Sequence, residues 1–218
     1  MRVLITDPDY DDTLGYLSAY TKLLLNFAEK EGIKVHHLKR PRLTKAKVSE
    51  IINKKDPSLL LFNGHGDEAT IYGDKTGKDA EVLIRKGLNH QLLGKRLSYA
   101  RACSAAAQLG KTAVEGGGCF IGYRTPFLFW NDERFAATPL KDATARLCLE
   151  PSNAVAVALL KGNSAKEADE KFRSISKKNI LLLLGHKKEP GAMSLITAIW
   201  DNIQGQVIHG ETDMRANS

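Results

Sequence analysis

Short apolar runs alternate with segments of helical periodicity along the first part of the chain. The apolar runs are typical of buried strands, whereas apolar residues between Leu14 and Phe27 recur every three to four positions until Glu31 and Gly32 end the pattern. Thr44 is a suitable N-cap for a second helix. Predicted strands lie at 3–6, 33–38 and 58–62, and predicted helices at 14–27 and 44–53. This β-α-β-α-β order predicts an α/β fold with a parallel sheet.

The remainder of the chain is less regular. We expect a hairpin tip at 72–78 because of its Gly, Asp and Lys residues, and a helix that begins directly after Cys103 and ends before three consecutive glycines. Further predicted helices lie at 89–93, 104–114, 151–161 and 165–176, and further predicted strands at 97–103, 119–123, 194–200 and 206–209. The last two strands are predicted to pair across a turn at Asp201 and Asn202.

Length and composition favour one domain. With 218 residues, 43% of them hydrophobic, the chain can bury a large core. We therefore expect a single domain, 1–218, with a core at 1–124 and a second half at 125–218 that completes the sheet and a substrate groove. No long apolar stretch resembles a leader or membrane anchor, so we expect a cytoplasmic protein without a membrane partner.

The charged and sulfur-containing residues exclude several functions. The net charge of +7 comes from dispersed lysines and arginines without interleaved aromatics, so nucleic acid is not an expected partner. The three cysteines lack metal-ligand spacing, which predicts neither a disulfide framework nor a metal site. The glycines at 116–118 lack the Lys-Ser/Thr of a phosphate-binding loop. We expect no cofactor.

Two reactive residues follow consecutive apolar strands. His65 comes after the strand at 58–62, and Cys103 ends the next one. Because reactive groups of an open α/β sheet collect at the carboxyl ends of its strands, we predict that both lie at one edge. An imidazole beside a thiol produces the nucleophilic thiolate. The alternatives are a satisfied loop histidine and a buried structural cysteine, the role that we predict for Cys119 and Cys148.

The motifs Gly64-His65-Gly66 and Ala102-Cys103-Ser104 resemble those of the caspase-like cysteine peptidases, the clan of caspases, gingipains, clostripain and separase. The resemblance covers most of the chain. His65 precedes Cys103 by 38 positions, whereas about 50 separate them in caspases. This spacing differs from that of metazoan caspases. The run Ala102-Cys103-Ser104-Ala105-Ala106, together with Gly64-His65-Gly66, is more similar to the gingipain-like and CHAT branches, which are largely prokaryotic.

That resemblance implies a caspase-hemoglobinase-like fold, an α/β three-layer sandwich with a mostly parallel central sheet. It also implies a cysteine endopeptidase with His65 and Cys103 as the dyad and the backbone N–H groups of Gly66 and Cys103 as the oxyanion hole. The implied partners are a protein or peptide substrate and an activator or sensor protein, as in prokaryotic antiviral defence.

Several relatives of this family are cut between their two halves during activation. The segment 161–178 is therefore a candidate for self-cleavage, although the spacing of its apolar residues favours an intact helix.

The loop after the first strand is acidic. In caspase-like folds this loop reaches the pocket for the residue before the scissile bond, so Asp7, Asp9 and Asp11 favour substrates with Arg or Lys at that position. Alternatively, Asp11 or Asp12 caps the following helix. The pocket acid then comes from the second half of the chain, where the candidates are Asp132 and Asp201.

Two other functions fit the pattern. One is a catalytically silent peptidase-like module that binds or regulates a partner, against which the intact His65 and Cys103 argue. The other is a flavodoxin-like binder of small molecules, which explains neither residue. Asp67 and Glu68 follow His65 directly and either orient it or are solvated.

Overall fold

The structure, a computed structural model, describes residues 1–216. Six strands form one sheet: β1 (Arg2–Asp7), β2 (Lys34–Lys39), β3 (Leu59–Asn63), β6 (Leu97–Arg101), β7 (Cys119–Tyr123) and β8 (Gln206–Gly210). Their order across the sheet is β2-β1-β3-β6-β7-β8, and neighbouring strands are parallel except β8, which runs antiparallel to β7. The predicted α/β class and mostly parallel sheet are confirmed.

Helices cover both faces of this sheet. They are α1 (Asp12–Lys30), α2 (Lys45–Lys55), α3 (Leu109–Ala113), α4 (Ala143–Leu160), α5 (Ala165–Gly185) and α6 (Ala192–Gly205). Because side chains alternate along a strand, Val3 and Leu61 join one core with α4, α5 and α6, whereas Leu4 and Leu60 join another with α2 and α3. The four inner strands, β1, β3, β6 and β7, are consequently buried on both sides, which explains their largely apolar sequences.

Helix capping largely sets the starts of the first two helices. The Asp11 carboxylate accepts from the Leu14 N–H at the start of α1, and the Thr44 hydroxyl accepts from the Lys47 N–H at the start of α2. Both helices lie where the periodicity predicts them.

A separate two-stranded sheet consists of β4 (Thr70–Thr76) and β5 (Asp79–Arg85), which pair antiparallel. Gly77 lies between the strands with φ of 79°, a left-handed conformation that glycine adopts without strain. A hairpin is confirmed here, but its tip is shorter than the predicted 72–78, because residues 72–76 belong to β4 and only 77–78 connect the strands. A short 3-10 helix, His90–Leu93, follows where a short helix was predicted.

The predicted strand at 194–200 is wrong, because this segment is part of α6. Its buried residues Ala192, Ile199 and Ile203 recur at helical spacing, so a short apolar run within an amphipathic helix resembled a strand. The partner segment at 206–209 is a strand, β8, but it pairs with β7.

The helix predicted at 104–114 is also wrong over its first half. Ser104 adopts a left-handed φ of 57°, and a helix forms only from Leu109 to Ala113. Cys103 therefore does not begin a helix.

Two helices are longer than predicted. α4 begins at Ala143 and contains Pro151, which cannot donate to the Leu147 carbonyl one turn earlier. The Asn179 side chain of α5 donates to that carbonyl instead, at 2.8 Å. α5 continues to Gly185, so most of the stretch proposed for self-cleavage is helical.

Candidate active site at the carboxyl ends of β3 and β6

His65 and Cys103 lie at the same edge of the sheet. β3 and β6 are adjacent parallel strands in which Asn63 pairs with Arg101, and each reactive residue follows two positions after its strand ends. The His65 side chain is 41% exposed, and Cys103 is partly exposed. The predicted juxtaposition of the two strand ends is confirmed.

The glycines around His65 allow close backbone approach. A Cβ at Gly64 would lie 2.4 Å from the Tyr72 carbonyl oxygen, and one at Gly66 would lie 2.9 Å from the carbonyl oxygen of Cys103. No side chain fits at such distances. The two glycines thus bring the His65 segment against β4 on one side and the Cys103 segment on the other.

His65 is paired with Asp11. The Asp11 Oδ2 lies 2.7 Å from His65 Nε2, while its Oδ1 accepts from the Leu14 N–H as the cap of α1. Asp11 therefore joins the start of α1 to the imidazole. Within residues 1–216, His65 Nδ1 has no hydrogen-bond partner, and no hydrogen bond joins His65 to Cys103.

The two acidic residues that follow His65 form hydrogen bonds with groups other than the imidazole. Asp67 accepts from the Ala69 N–H and the Tyr72 hydroxyl, whereas Glu68 accepts from the Gln108 side chain. The residue that contacts the imidazole comes from the loop after β1, a position that sequence spacing could not reveal.

Two backbone N–H groups at the site have no acceptor. The residues beside Gly66 are bonded to β4, with the Tyr72 N–H donating to the His65 carbonyl and the Asp67 N–H donating to the Thr70 carbonyl. In the described part of the chain, neither the Gly66 N–H nor the Cys103 N–H donates to any group. Both donors belong to segments in contact with each other.

The turn after Cys103 is held by the segment that follows β7. The Ser104 N–H donates to the Thr125 carbonyl, and its left-handed conformation turns the chain away from the line of β6. Because the helix begins only at Leu109, no helix N-terminus, with its favourable macrodipole, lies at Cys103 in the described structure.

The other two cysteines are in different surroundings. Cys119 is in β7 and Cys148 in α4, both are buried, and burial raises the pKa of each thiol to about 12. They stay protonated and inaccessible, which fits the structural role predicted for them.

A buried polar network lies under the site. Arg101 is 2% exposed, and its Nε donates to Asn63 Oδ1 at 2.7 Å while its Nη1 donates to Asn153 Oδ1 at 3.3 Å. Asn63 in turn donates to the Thr6 carbonyl and the Thr21 hydroxyl. No sequence pattern predicts this network, because Asn63 and Arg101 are single polar residues at the ends of strands β3 and β6.

The candidate specificity residues differ in accessibility. Asp7 is only 2% exposed and contacts His37 and Ser18, so it does not reach a substrate, contrary to expectation. Asp9 is exposed. Asp11 binds His65, and Asp132 pairs with Arg134.

Asp201 lines an open cavity of about 260 Å³ together with Arg124 and Thr125. The Thr125 carbonyl accepts from Ser104, so this cavity adjoins the Cys103 turn. Residues 1–216 contain no group of three His, Cys, Asp or Glu side chains able to hold a metal ion.

None of the helices described between residues 1 and 216 has the length and apolar character of a membrane span.

Comparisons with known proteins give little. No family model matches this chain, and no curated protein matches it. Among solved structures, the chain is similar to protein GSU0716 from Geobacter sulfurreducens, with 12% identity over 78% of this chain and 87% of that one, at a TM-score of 0.41. So distant a likeness supports no conclusion about function.

Proposed function

We propose that this chain is a cysteine endopeptidase with a caspase-like fold and a His65/Cys103 dyad. The observation that carries the proposal is the placement of a histidine and a partly exposed cysteine just after adjacent strand ends, beside two N–H groups that have no acceptor in the described structure. Those donors, on Gly66 and Cys103, suit the negative charge of a tetrahedral intermediate.

The proposed reaction has two stages. His65 takes the thiol proton through its free Nδ1, and the Cys103 sulfur attacks the scissile carbonyl carbon. The C–N bond breaks as the imidazolium returns its proton to the leaving amine, leaving a thioester. Water then gives a proton to His65 and attacks the thioester, which releases the acid and restores the thiol. Asp11 holds the imidazole on the side away from the reaction.

The proposed substrates carry Arg or Lys before the scissile bond. Of the exposed candidates, Asp11 is paired with His65, whereas Asp9 and Asp201 form no ion pair in the described structure. Asp201 lines the cavity beside the Cys103 turn. A carboxylate there forms charge-assisted hydrogen bonds with a guanidinium or ammonium group and repels an acidic side chain.

Fluorogenic peptides ending in Arg, Lys, Asp, Leu or Met test activity and specificity together. We expect cleavage after Arg and Lys, a loss of at least about 1,000-fold in Cys103→Ala and His65→Ala, and unchanged cleavage in the control Cys148→Ser. Asp201→Asn should weaken Arg cleavage selectively. A preference for Asp or Leu contradicts the basic specificity, and full activity of Cys103→Ala contradicts the dyad.

A silent module is the second candidate, because His65 and Cys103 are not hydrogen-bonded to each other in the described structure. Labelling with iodoacetamide separates the candidates. An active dyad predicts that His65→Ala slows alkylation of Cys103 at neutral pH, whereas a silent module predicts equal rates in both proteins.

We also propose that an activator protein binds the face formed by α5 and α6. Five large apolar side chains on these helices are 43–68% exposed, a patch typical of interaction surfaces. They are Leu181, Leu182, Leu184, Met193 and Trp200. The adjoining lysines at 177, 178, 187 and 188 favour an acidic partner.

A further inference from the structure

A second concave site lies between α1, α4 and α5, and no residue of the proposed dyad lines it. Its cavity measures about 670 Å³, a size suited to a small organic ligand. Apolar side chains form much of the wall, including Val157 and Ile175. At its mouth Leu23 and Leu140 are 41% and 44% exposed.

Two largely buried residues bring donor groups to this cavity that have no protein acceptor in the described structure. Asn153 is 6% exposed, and although its Oδ1 accepts from Arg101, its Nδ2 donates to no group within residues 1–216. The Tyr20 hydroxyl is likewise without a partner in the described structure, and burial raises its pKa to about 12, so it keeps its proton. Neither donor atom is among the fully buried ones, so both are accessible from the cavity to a ligand or water.

The charged groups of the cavity are predominantly positive. Arg146, Lys161 and Lys171 line it and form no ion pair in the described part of the chain, although Lys161 lies over the Phe27 ring. Of the two carboxylates that line it, Glu150 is free, and Glu167 accepts from the Ser164 N–H and pairs with Arg215. The unpaired side chains therefore give the cavity a net positive charge, which favours the binding of an anion.

We propose that this cavity binds an amphipathic organic anion that acts as an effector of the candidate active site. Its apolar chain lies along α4 and α5, and its acidic head accepts hydrogen bonds from Asn153 and Tyr20 next to Arg146. The effector role rests on the proposed function, whereas binding does not.

The hydrogen bonds under the sheet supply the connection. Arg101 donates hydrogen bonds to both Asn153 and Asn63. A ligand bound to Asn153 is therefore connected by hydrogen bonds to Arg101 on β6 and to Asn63 on β3. Asn63 and Arg101 each stand two positions before a dyad residue. A ligand that orders Asn153 therefore stabilises both strand ends.

Calorimetry with decanoate tests the binding, with decanol and inorganic phosphate as probes of the chain and the head alone. The Cys103→Ala protein is used, so that failure of the peptidase proposal cannot affect the result. We expect decanoate to bind at least about tenfold more tightly than either probe. Arg146→Glu should weaken decanoate by a similar factor, and Ala154→Trp, which fills the cavity from α4, should abolish binding.

Lys177→Glu, a charge reversal on α5 outside the cavity, should leave decanoate binding unchanged. Absence of binding, equal affinity for decanol, or full binding by Ala154→Trp overturns the site.

Hydrogen exchange tests the effector role. Decanoate should slow amide exchange at 63–66 and 101–104 at least about twofold, and Asn153→Leu, which keeps a side chain of similar size, should remove the slowing. Asn153→Ser, which retains a smaller polar group, gives a second measurement if the leucine variant does not fold. Binding without slower exchange at these strand ends overturns the effector role and leaves the peptidase proposal untouched.

Discussion

At the scale of single residues, Asp11 combines two functions in one carboxylate. Oδ1 caps α1 and Oδ2 binds His65, so a substitution can separate stability from chemistry. Asp11→Ser keeps an oxygen for the cap and loses the reach to the imidazole. We expect the melting temperature to change by no more than about 2 °C, while peptide hydrolysis falls about 10- to 100-fold.

The control for that measurement is Asp12→Ser, which changes the neighbouring exposed carboxylate. Asp12→Ser should hydrolyse peptides at the original rate. Equal activity of Asp11→Ser and the unchanged chain would show that the imidazole needs no carboxylate.

Asp74 gives a pH dependence at the same scale. It is 4% exposed, its Oδ1 has no partner within residues 1–216, and burial raises its pKa from 3.8 to about 6. Between those pH values the folded chain keeps a proton that the unfolded chain has lost, so this group's contribution to stability decreases as pH rises from about 4 to 6. The full change is up to about 3 kcal/mol.

Urea denaturation at pH 4 to 7 measures this contribution. Asp74→Asn should remove this part of the pH dependence, and Asp79→Asn, an exposed acid on the same hairpin, should retain it. A pH slope in Asp74→Asn equal to that of the unchanged chain would place the titration on another group.

At the scale of elements, the glycines of α1 and of the His65 loop have opposite roles. Gly15 lies inside α1 with nothing within 4 Å of an added Cβ, so Gly15→Ala should stabilise the protein by about 0.5 to 1 kcal/mol. An alanine Cβ at Gly66 would meet the Cys103 carbonyl, and Gly66→Ala should destabilise by about 1 to 3 kcal/mol. Thermal unfolding measures both, and equal effects would contradict the close packing of the two site segments.

Elements with one dominant local signal could be predicted from the sequence. Buried parallel strands have continuous apolar runs, and α2 has a capping threonine, so both were predictable. The apolar run in α6 is compatible with either a strand or an amphipathic helix. Its packing against α5 stabilises the helix, and this contact cannot be read from the local sequence. The turn after Cys103 depends on the Thr125 carbonyl, a contact distant in sequence.

The same distinction applies to the candidate site. The placement of His65 and Cys103 at adjacent strand ends follows from parallel topology alone, whereas the pairing of Asp11 with His65 depends on the conformation of the loop after β1. The buried position of Asp7 also depends on a distant contact, with His37 of β2. Sequence spacing identifies strand ends but not the side chains that loops bring to them.

At the scale of the whole molecule, the exposed face of α5 and α6 carries apolar side chains that favour self-association and lysines that oppose it. Its apolar side chains, among them Leu181 at 68% and Trp200 at 52% exposure, favour association. Four lysines lie near this face, at 177, 178, 187 and 188, together with two acids, Glu189 and Asp201. The resulting excess of positive charge repels a second copy. Because salt screens the charges and leaves apolar burial intact, we expect a monomer at 0.05 M NaCl and reversible association at about 1 M.

Sedimentation velocity across that salt range measures this balance. The double variant Leu181→Glu, Trp200→Glu should remain monomeric throughout, because it adds charge to the centre of the face. Leu88→Glu changes a side chain that is 53% exposed elsewhere and should associate as the unchanged chain does. Association that is strongest at low salt would mean that opposite charges, and not this apolar face, hold the copies together.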